Sequence, residues 1–161
     1  MMPSTINLKE AWSQVPTGVG VLCTTEAEGR IHGITVNSYI SISVDHPMIG
    51  VSISINSNSH DLIKKNREFG FSILSKDQKN VANYFSSDKE FSLPKNIQFD
   101  DLGGNAYGIQ NATVQFACSL RDDFFLTDHT LFVATIKNVR FNRIQPLIWH
   151  RSGFSELTTR R

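Results

Sequence analysis

The stretch GITVNSYISISVDHP, residues 33–47, constrains this chain most. Aliphatic Ile34, Val36, Ile40, Ile42 and Val44 fall on even positions, and Thr35, Asn37, Tyr39, Ser41 and Ser43 on odd ones. Successive strand side chains point to opposite faces, so the alternation predicts a β-strand, or two strands around a kink. The polar face carries no charge before Asp45. A strand face that only meets water usually carries some Lys, Glu or Arg. This face carries small neutral hydrogen-bonders, which suit a ligand as well as they suit solvent or local backbone.

The same period recurs along the chain. Strands are expected at 18–25, 31–37, 38–44 and 48–55, with a hairpin tip at Glu28-Gly29-Arg30. In the last of these strands, Ile49, Val51, Ile53 and Ile55 share one face, and Ser52, Ser54 and Asn56 the other. Further strands are expected at 69–74, 112–121, 130–141 and 146–150. Short helices are expected at 6–13, after the cluster Asn56–His60, and at 79–85, where Val81 and Phe85 lie four apart. Residues 86–105, rich in Ser, Asp, Lys, Pro, Asn and Gly, read as a long loop. Asp122-Asp123 reads as a solvated turn. Adjacent strands with few helices predict a mainly β chain, closed or nearly closed into a barrel, over a βαβ sheet.

Composition narrows the function classes. The 161 residues suffice for a single domain, taken here as 1–161, with a sizeable core. A net charge of +1 does not advertise nucleic acid or an acidic membrane surface. No run approaches the roughly 20 apolar residues of a membrane helix. The start MMPSTINLKEAWSQ lacks the basic and apolar regions of a secretion signal. Cys23 and Cys118 are isolated and read as free thiols in a reducing cytoplasm. The five His show no zinc spacing, so no metal site is expected. No GxGxxG, P-loop or GxSxG occurs.

Three groups of residues remain as candidates for chemistry. Thr35, Asn37, Ser41 and Ser43, with Ser52, Ser54 and Asn56, would form an uncharged patch for carbonyl, imide and hydroxyl groups if their strands pair. In Asn56–His60, Ser57 and Ser59 stand where a helix begins, and its free N–H groups favour an anion such as phosphate, with His60 or Lys64 nearby. The plain alternative is capping, with Ser59 as the cap. Asp128-His129-Thr130 opens a strong strand, which would put His129 at a barrel rim with Asp128 to orient it. The alternative is an exposed turn.

Together and in order, these pieces resemble the flavin reductase family of the FMN-binding split barrel, the reductase components of two-component flavin-dependent monooxygenases. Pro16-Thr17-Gly18-Val19 is similar to the family's PTGV, and Thr35-Val36-Asn37-Ser38-Tyr39 to its TxNSF. Ser41–Pro47 resembles SVSLDPP, and Ser57-Asn58-Ser59-His60 resembles SxTH. Phe71–Leu74, Gln78 and Tyr84-Phe85-Ser86 resemble its FxVxxLs…Q…FA stretch. Asp128–Phe132 is similar to GDHTLF, and Pro146–Phe154 to PLLYYRGxY. The resemblance spans about residues 12–157. Thr127 and Ala134 stand where the family has Gly, and His46 where it has Pro.

The resemblance implies a Greek-key-like split β-barrel with a few short helices. It implies a cytoplasmic NAD(P)H:flavin oxidoreductase that reduces FMN, or FAD, with NADH or NADPH by hydride transfer to N5. Thr35, Val36, Asn37, Ser38, Ser41 and Ser43 would lie near the isoalloxazine and ribityl parts of FMN. Ser57, Ser59 and His60 would hold the phosphate end, and Phe85 would lie along the flavin. His129 would be the catalytic-side residue near the nicotinamide. A homodimer and a monooxygenase partner are implied as well. The alternative is an FMN-binding electron carrier or flavin store with little NAD(P)H activity.

Overall fold

The period-2 stretches do form strands, in a computed structural model that describes residues 5–87 and 93–158. Helix α1 spans Thr5–Ser13, followed by β1 Thr17–Gly18, β2 Gly20–Thr25, β3 Ile31–Val36, β4 Tyr39–Ser43 and β5 Met48–Ser54. Helix α2 (Asn58–Asn66), β6 (Glu68–Ile73) and α3 (Lys79–Ser86) come next. The chain continues with β7 Phe99–Asp101, β8 Tyr107–Ile109, β9 Val114–Leu126, β10 His129–Phe141, β11 Ile148–His150 and β12 Gly153–Ser155.

Seven strands pair antiparallel in the order β3-β2-β6-β9-β10-β5-β4. The two edge strands, β3 and β4, are consecutive in the chain and separated only by Asn37 and Ser38. Ser52 N–H on β5 donates to the Ser38 carbonyl at 2.9 Å. The sheet therefore curls on itself, and its seam lies where β3 runs into β4. This is a split barrel, mainly β as expected.

Apolar residues pack on both sides of the curled sheet. Leu22, Val51, Ile53, Phe69, Phe71 and Phe132 fill the inside. Phe69, Phe71 and Phe132 are fully buried, and burial stabilises the fold by roughly 2–3 kcal/mol for each ring. A second cluster lies outside, where Val21, Cys23 and Leu74 meet Val81, Ala82 and Phe85 of α3. This explains why β2 is buried on both faces along most of its length. Ser57 caps α2 by accepting from Ser59 N–H at 3.2 Å, so the cap is Ser57 and not Ser59. The helix ends at Arg67, which takes a left-handed φ of 58° and donates its N–H to the Ile63 carbonyl.

Four sequence expectations need correction. Asp122 and Asp123 lie within β9, which runs on to Leu126 and pairs with β10 as far as His129. The β9 side of this end is exposed on both faces, so burial gives no pattern by which its sequence could reveal the strand. The expected loop at 86–105 contains β7 and continues toward β8, which pairs with it. Residues 88–92 of that loop lie outside the described residues. The strand count also exceeds the roughly seven or eight expected, because short pairs such as β7–β8 and β11–β12 lie outside the main sheet.

The fourth correction concerns the opening stretch. Before the break, Ile34 and Val36 pack toward the barrel interior, and Thr35 points to α3. After it, Tyr39 is the residue that points inward, with its ring 4.8 Å from Phe71. Val36 and Tyr39 are three apart, so the break at Asn37–Ser38 inverts which parity faces in. Burial pushes the Tyr39 phenol up to about 12. Ile40 and Ile42 are consequently turned outward and exposed, and Val44, in the turn after β4, is 84% exposed.

Candidate functional site

Two hollows lie along β3 and share Ser86 of α3 in their linings, so they form one trough. The first, about 230 Å³, is lined by Thr35, Val36 and Asn37 on one side and by Ala82 and Asn83 on the other. Trp149 and Phe154 close it, packed edge to face with centroids 5.2 Å apart. The second, about 580 Å³, runs past Gly33, Ile34 and Phe85 to Ser57, Asn58 and Ser59 at the start of α2.

Several polar groups on the trough are placed by definite contacts. Thr35 Oγ1 donates to the Ala82 carbonyl at 2.8 Å, which ties β3 to α3. Asn37 Nδ2 donates to Thr17 Oγ1 at 3.2 Å. Ser59 is fully buried, and its Oγ shares a 2.7 Å hydrogen bond with His32 Nε2. A Cβ on Gly33 would come within 2.8 Å of the Phe85 ring, so glycine lets α3 lie close against β3. Among the described residues, the second hollow is lined by uncharged side chains apart from Glu26 and the titratable His32. Such a lining suits an elongated ligand rich in carbonyls and hydroxyls, with an acidic group at the α2 end.

Of the residues proposed from sequence, Thr35, Val36, Asn37, Ser57, Ser59 and Phe85 line the trough. Ser38 sits at the seam, where its Oγ donates to the Ser52 carbonyl at 2.8 Å. Ser41 and Ser43 do not reach the trough. They line a separate apolar hollow with Met48, Phe116 and Ile136, on a strand whose pairing with β5 shifts register between Ser41 and Ser43. His60 is also turned away. Its Nε2 meets Thr130 Oγ1 at 2.9 Å, its Nδ1 meets Asp61 Oδ1 at 3.0 Å, and its ring packs against Phe132. His32 was not anticipated. It lies in β3 just before Gly33, and only the fold brings it to Ser59.

His129 opens β10 opposite Ser54, which lines the trough. Directly opposed residues in a sheet share a face, so His129 stands one strand outside the trough wall. Its side chain is 44% exposed, and Nδ1 lies 3.0 Å from Asp128 Oδ1. The hydrogen bond with His129, and a weaker one from Thr127, hold the Asp128 carboxyl below its usual range. The carboxylate therefore accepts from Nδ1–H and fixes the ring's orientation.

The turn before His129 is strained. Thr127 takes a φ of 53°, which Asp128 does not share. That is the type II′ hairpin pattern, whose first central position favours Gly, and a β-branched residue there costs about 1–3 kcal/mol. Thr127→Gly is expected to stabilise the chain by about 1 kcal/mol, after allowance for the greater freedom of glycine in the unfolded chain. Urea unfolding would read this directly. A lower midpoint would mean that the Thr127 hydroxyl bonds to Leu126 and Asp128 outweigh the strain.

Among the described residues, no group of three or more His, Cys, Asp or Glu could hold a metal ion. No helix among them is long and apolar enough to cross a membrane. Cys23 and Cys118 are buried and not joined in a disulfide, and burial pushes the Cys118 thiol far above its ordinary range.

Fold and trough together define a flavin-reductase type of split barrel. The chain belongs to the flavin reductase like domain family, which it matches over residues 12–158. It is 32% identical to the NADH-dependent flavin reductase StyB of Pseudomonas fluorescens, over 91% of this chain and 86% of that one. It is 30% identical to an NADH:riboflavin 5'-phosphate oxidoreductase of Streptomyces pristinaespiralis, over 92% and 85%. The solved styrene monooxygenase flavin reductase of Pseudomonas putida S12 superposes with a TM-score of 0.89 at 31% identity, over 96% of this chain and 99% of that one.

Proposed function

We propose that this chain is an NADH-dependent flavin reductase that reduces FMN and supplies reduced flavin to a partner monooxygenase. The observation that carries this reading is the trough between β3, α3 and the start of α2, with its uncharged donors and acceptors. Its residues fit a flavin. Thr35, Asn37 and neighbouring groups would serve the ring and ribityl chain, and Ser57, Ser59 and the first N–H groups of α2 the phosphate. Bound there, the flavin supplies the redox chemistry, accepting a hydride from reduced nicotinamide at N5. The protein's own residues bind and orient the reactants, so that a bimolecular encounter becomes a positioned one. None of the trough residues needs to act as a strong acid or base.

The reading includes a homodimer. Ile40, Ile42, Phe124 and Leu126 are exposed. A Cβ on Gly50 would touch Ile40, Ile42 and Leu131, so the outer face of β4, β5 and β10 is a connected apolar surface. Exposed apolar patches of this kind mark protein contacts.

The test is NADH and NADPH oxidation by the purified protein, with and without FMN, FAD or riboflavin, alongside its mass by sedimentation. NADH oxidation that requires added FMN, by a species of twice 18.1 kDa, is the expected result. A yellow protein that retains flavin and oxidises neither nucleotide would instead identify an electron carrier or flavin store. A species of 18.1 kDa would remove the dimer.

A further inference from the structure

We propose that His60 is a positioning residue for the flavin phosphate, which it does not touch, and that it acts by bracing the first turn of α2 against β10 through Thr130. The inference rests on the flavin reading above, in which the start of α2 receives the phosphate, and it names what holds that start in place. His60 follows Ser59 in the first turn of α2. Ser57, Asn58 and Ser59 line the larger hollow, whereas the His60 ring is turned to the barrel side. It lies 2.9 Å from Thr130 Oγ1 through Nε2 and 3.0 Å from Asp61 Oδ1 through Nδ1. An ionised carboxylate can only accept, so Nδ1 carries a proton, and in the neutral ring Nε2 accepts from the Thr130 hydroxyl. The side chain is 12% exposed, and its ring packs on the fully buried Phe132 with centroids 5.4 Å apart.

What makes this contact a brace is the rigidity of its far end. Thr130 is buried, and β10 pairs on both sides, with Ile53 of β5 and Phe125 of β9 opposite Thr130. That strand cannot shift without breaking the sheet. The helix has no ladder of its own to hold it. Its first turn is gripped from β3, where His32 Nε2 meets Ser59 Oγ at 2.7 Å, and from β10, where Thr130 meets His60. Its last turn is gripped from β2, where Asn66 Nδ2 donates to the Thr25 carbonyl at 2.6 Å. Two grips fix both the place and the tilt of the first turn, and one alone leaves a pivot. Hydrogen bonds weaken steeply as their angle opens. A tilted first turn therefore loses alignment with a phosphate at Ser57 and Ser59, while contacts to the ring along β3 and α3 stay as they are.

The experiment measures dissociation constants for FMN and riboflavin by flavin fluorescence, in the wild type, His60→Ala, His60→Gln, Thr130→Val, the double variant His60→Ala/Thr130→Val, and Asn66→Ala. His60→Ala should weaken FMN by about 10-fold, roughly the cost of misaligning one hydrogen bond to a charged group, and leave riboflavin within about 2-fold. Thr130→Val keeps the shape of the side chain and removes only the hydroxyl, so it should move the FMN-to-riboflavin ratio in the same direction. The double variant should lose no more than the larger single change, because both remove one contact. His60→Gln can still bond Thr130 through its amide and should recover most of the ratio. Asn66→Ala loosens the other end of α2 and should leave the ratio unchanged. Riboflavin binding shows that each variant is folded. A ratio that falls in His60→Ala and holds in Thr130→Val would mean that the ring acts on the phosphate directly, and would overturn the brace. An equal fall in Asn66→Ala, or equal losses of both flavins in His60→Ala, would overturn it as well, since any loosening of the fold would then suffice. A wild-type protein that binds neither flavin would instead overturn the flavin reading itself.

Discussion

Gly70→Ala is expected to cost about 3 kcal/mol or more, or to prevent folding altogether. Gly70 lies in the middle of β6, a central strand of the barrel sheet, paired with Cys23 on one side and Ala117 on the other. The short β7–β8 ribbon crosses directly over it. A Cβ at this position would stand 2.5 Å from the Tyr107 carbonyl carbon and 2.7 Å from its nitrogen. Those atoms are backbone, so no rotamer change can relieve the clash. Either the ribbon lifts or β6 bends. Lifting the ribbon breaks the 2.8 Å bond from Ile109 N–H to Ser72 Oγ. It also breaks the bonds from Gln115 Nε2 to the Ile109 carbonyl at 2.8 Å and to Asp100 Oδ2 at 2.7 Å. Gln115 and Ser72 are buried, and a buried polar group left unpaired adds its own cost of about 1–3 kcal/mol. Gly153→Ala is the matched control, because a Cβ there meets nothing closer than 3.9 Å. Chemical denaturation should place that variant within about 0.5 kcal/mol of the wild type. Comparable stability for the two variants would show that the ribbon yields easily and is not a fixed part of the fold.

The residues differ in how far their sequence revealed their role. Alternation in 48–55 put Ile49, Val51, Ile53 and Ile55 on one face; the first three are buried because β5 is continuous with one buried face, while Ile55 lies past the end of β5 and is exposed. The same alternation in 33–47 misleads after Ser38. A single irregularity at the seam inverts the parity, and hydropathy carries no mark of it because both faces of β4 contain small or aliphatic residues. Ser41 and Ser43 look like Thr35 and Asn37 on paper, yet they line a different hollow. Ser57 and Ser59 were legible as a helix start because capping is a local signal, whereas helical spacing gave Phe85 only a place on a helix and its place along the site came from the family resemblance. His32 was not legible. Its contact with Ser59 spans 27 residues and depends on how α2 docks against β3. His60 shows the converse. It sits in the right motif, but its ring is turned toward Thr130 and Phe132.

His129→Ala is expected to lower turnover with NADH on the order of 10–100-fold while FMN affinity stays within about 2-fold. The ring stands on the same sheet face as Ser54 and outside the trough wall. On the proposed flavin reading, it would meet a second reactant over the flavin and would not hold the flavin itself. Asp128 fixes one ring nitrogen at 3.0 Å and leaves Nε2 as the group that can address that reactant. Asp128→Asn separates orientation from contact. It keeps the imidazole but weakens the acceptor that aligns it, so a smaller loss is expected than for removal of the ring. If His129 acts only on nucleotide binding, KM for NADH rises and kcat holds. If it positions the nicotinamide for transfer, kcat falls with kcat/KM. Fluorescence titration of FMN on the same samples shows whether the flavin site is intact. Unchanged turnover in His129→Ala, with FMN still bound, would mean that this histidine is an exposed residue of a hairpin rim. The nicotinamide would then be positioned from elsewhere, and Trp149 and Phe154 at the other end of the trough would be the next residues to alter.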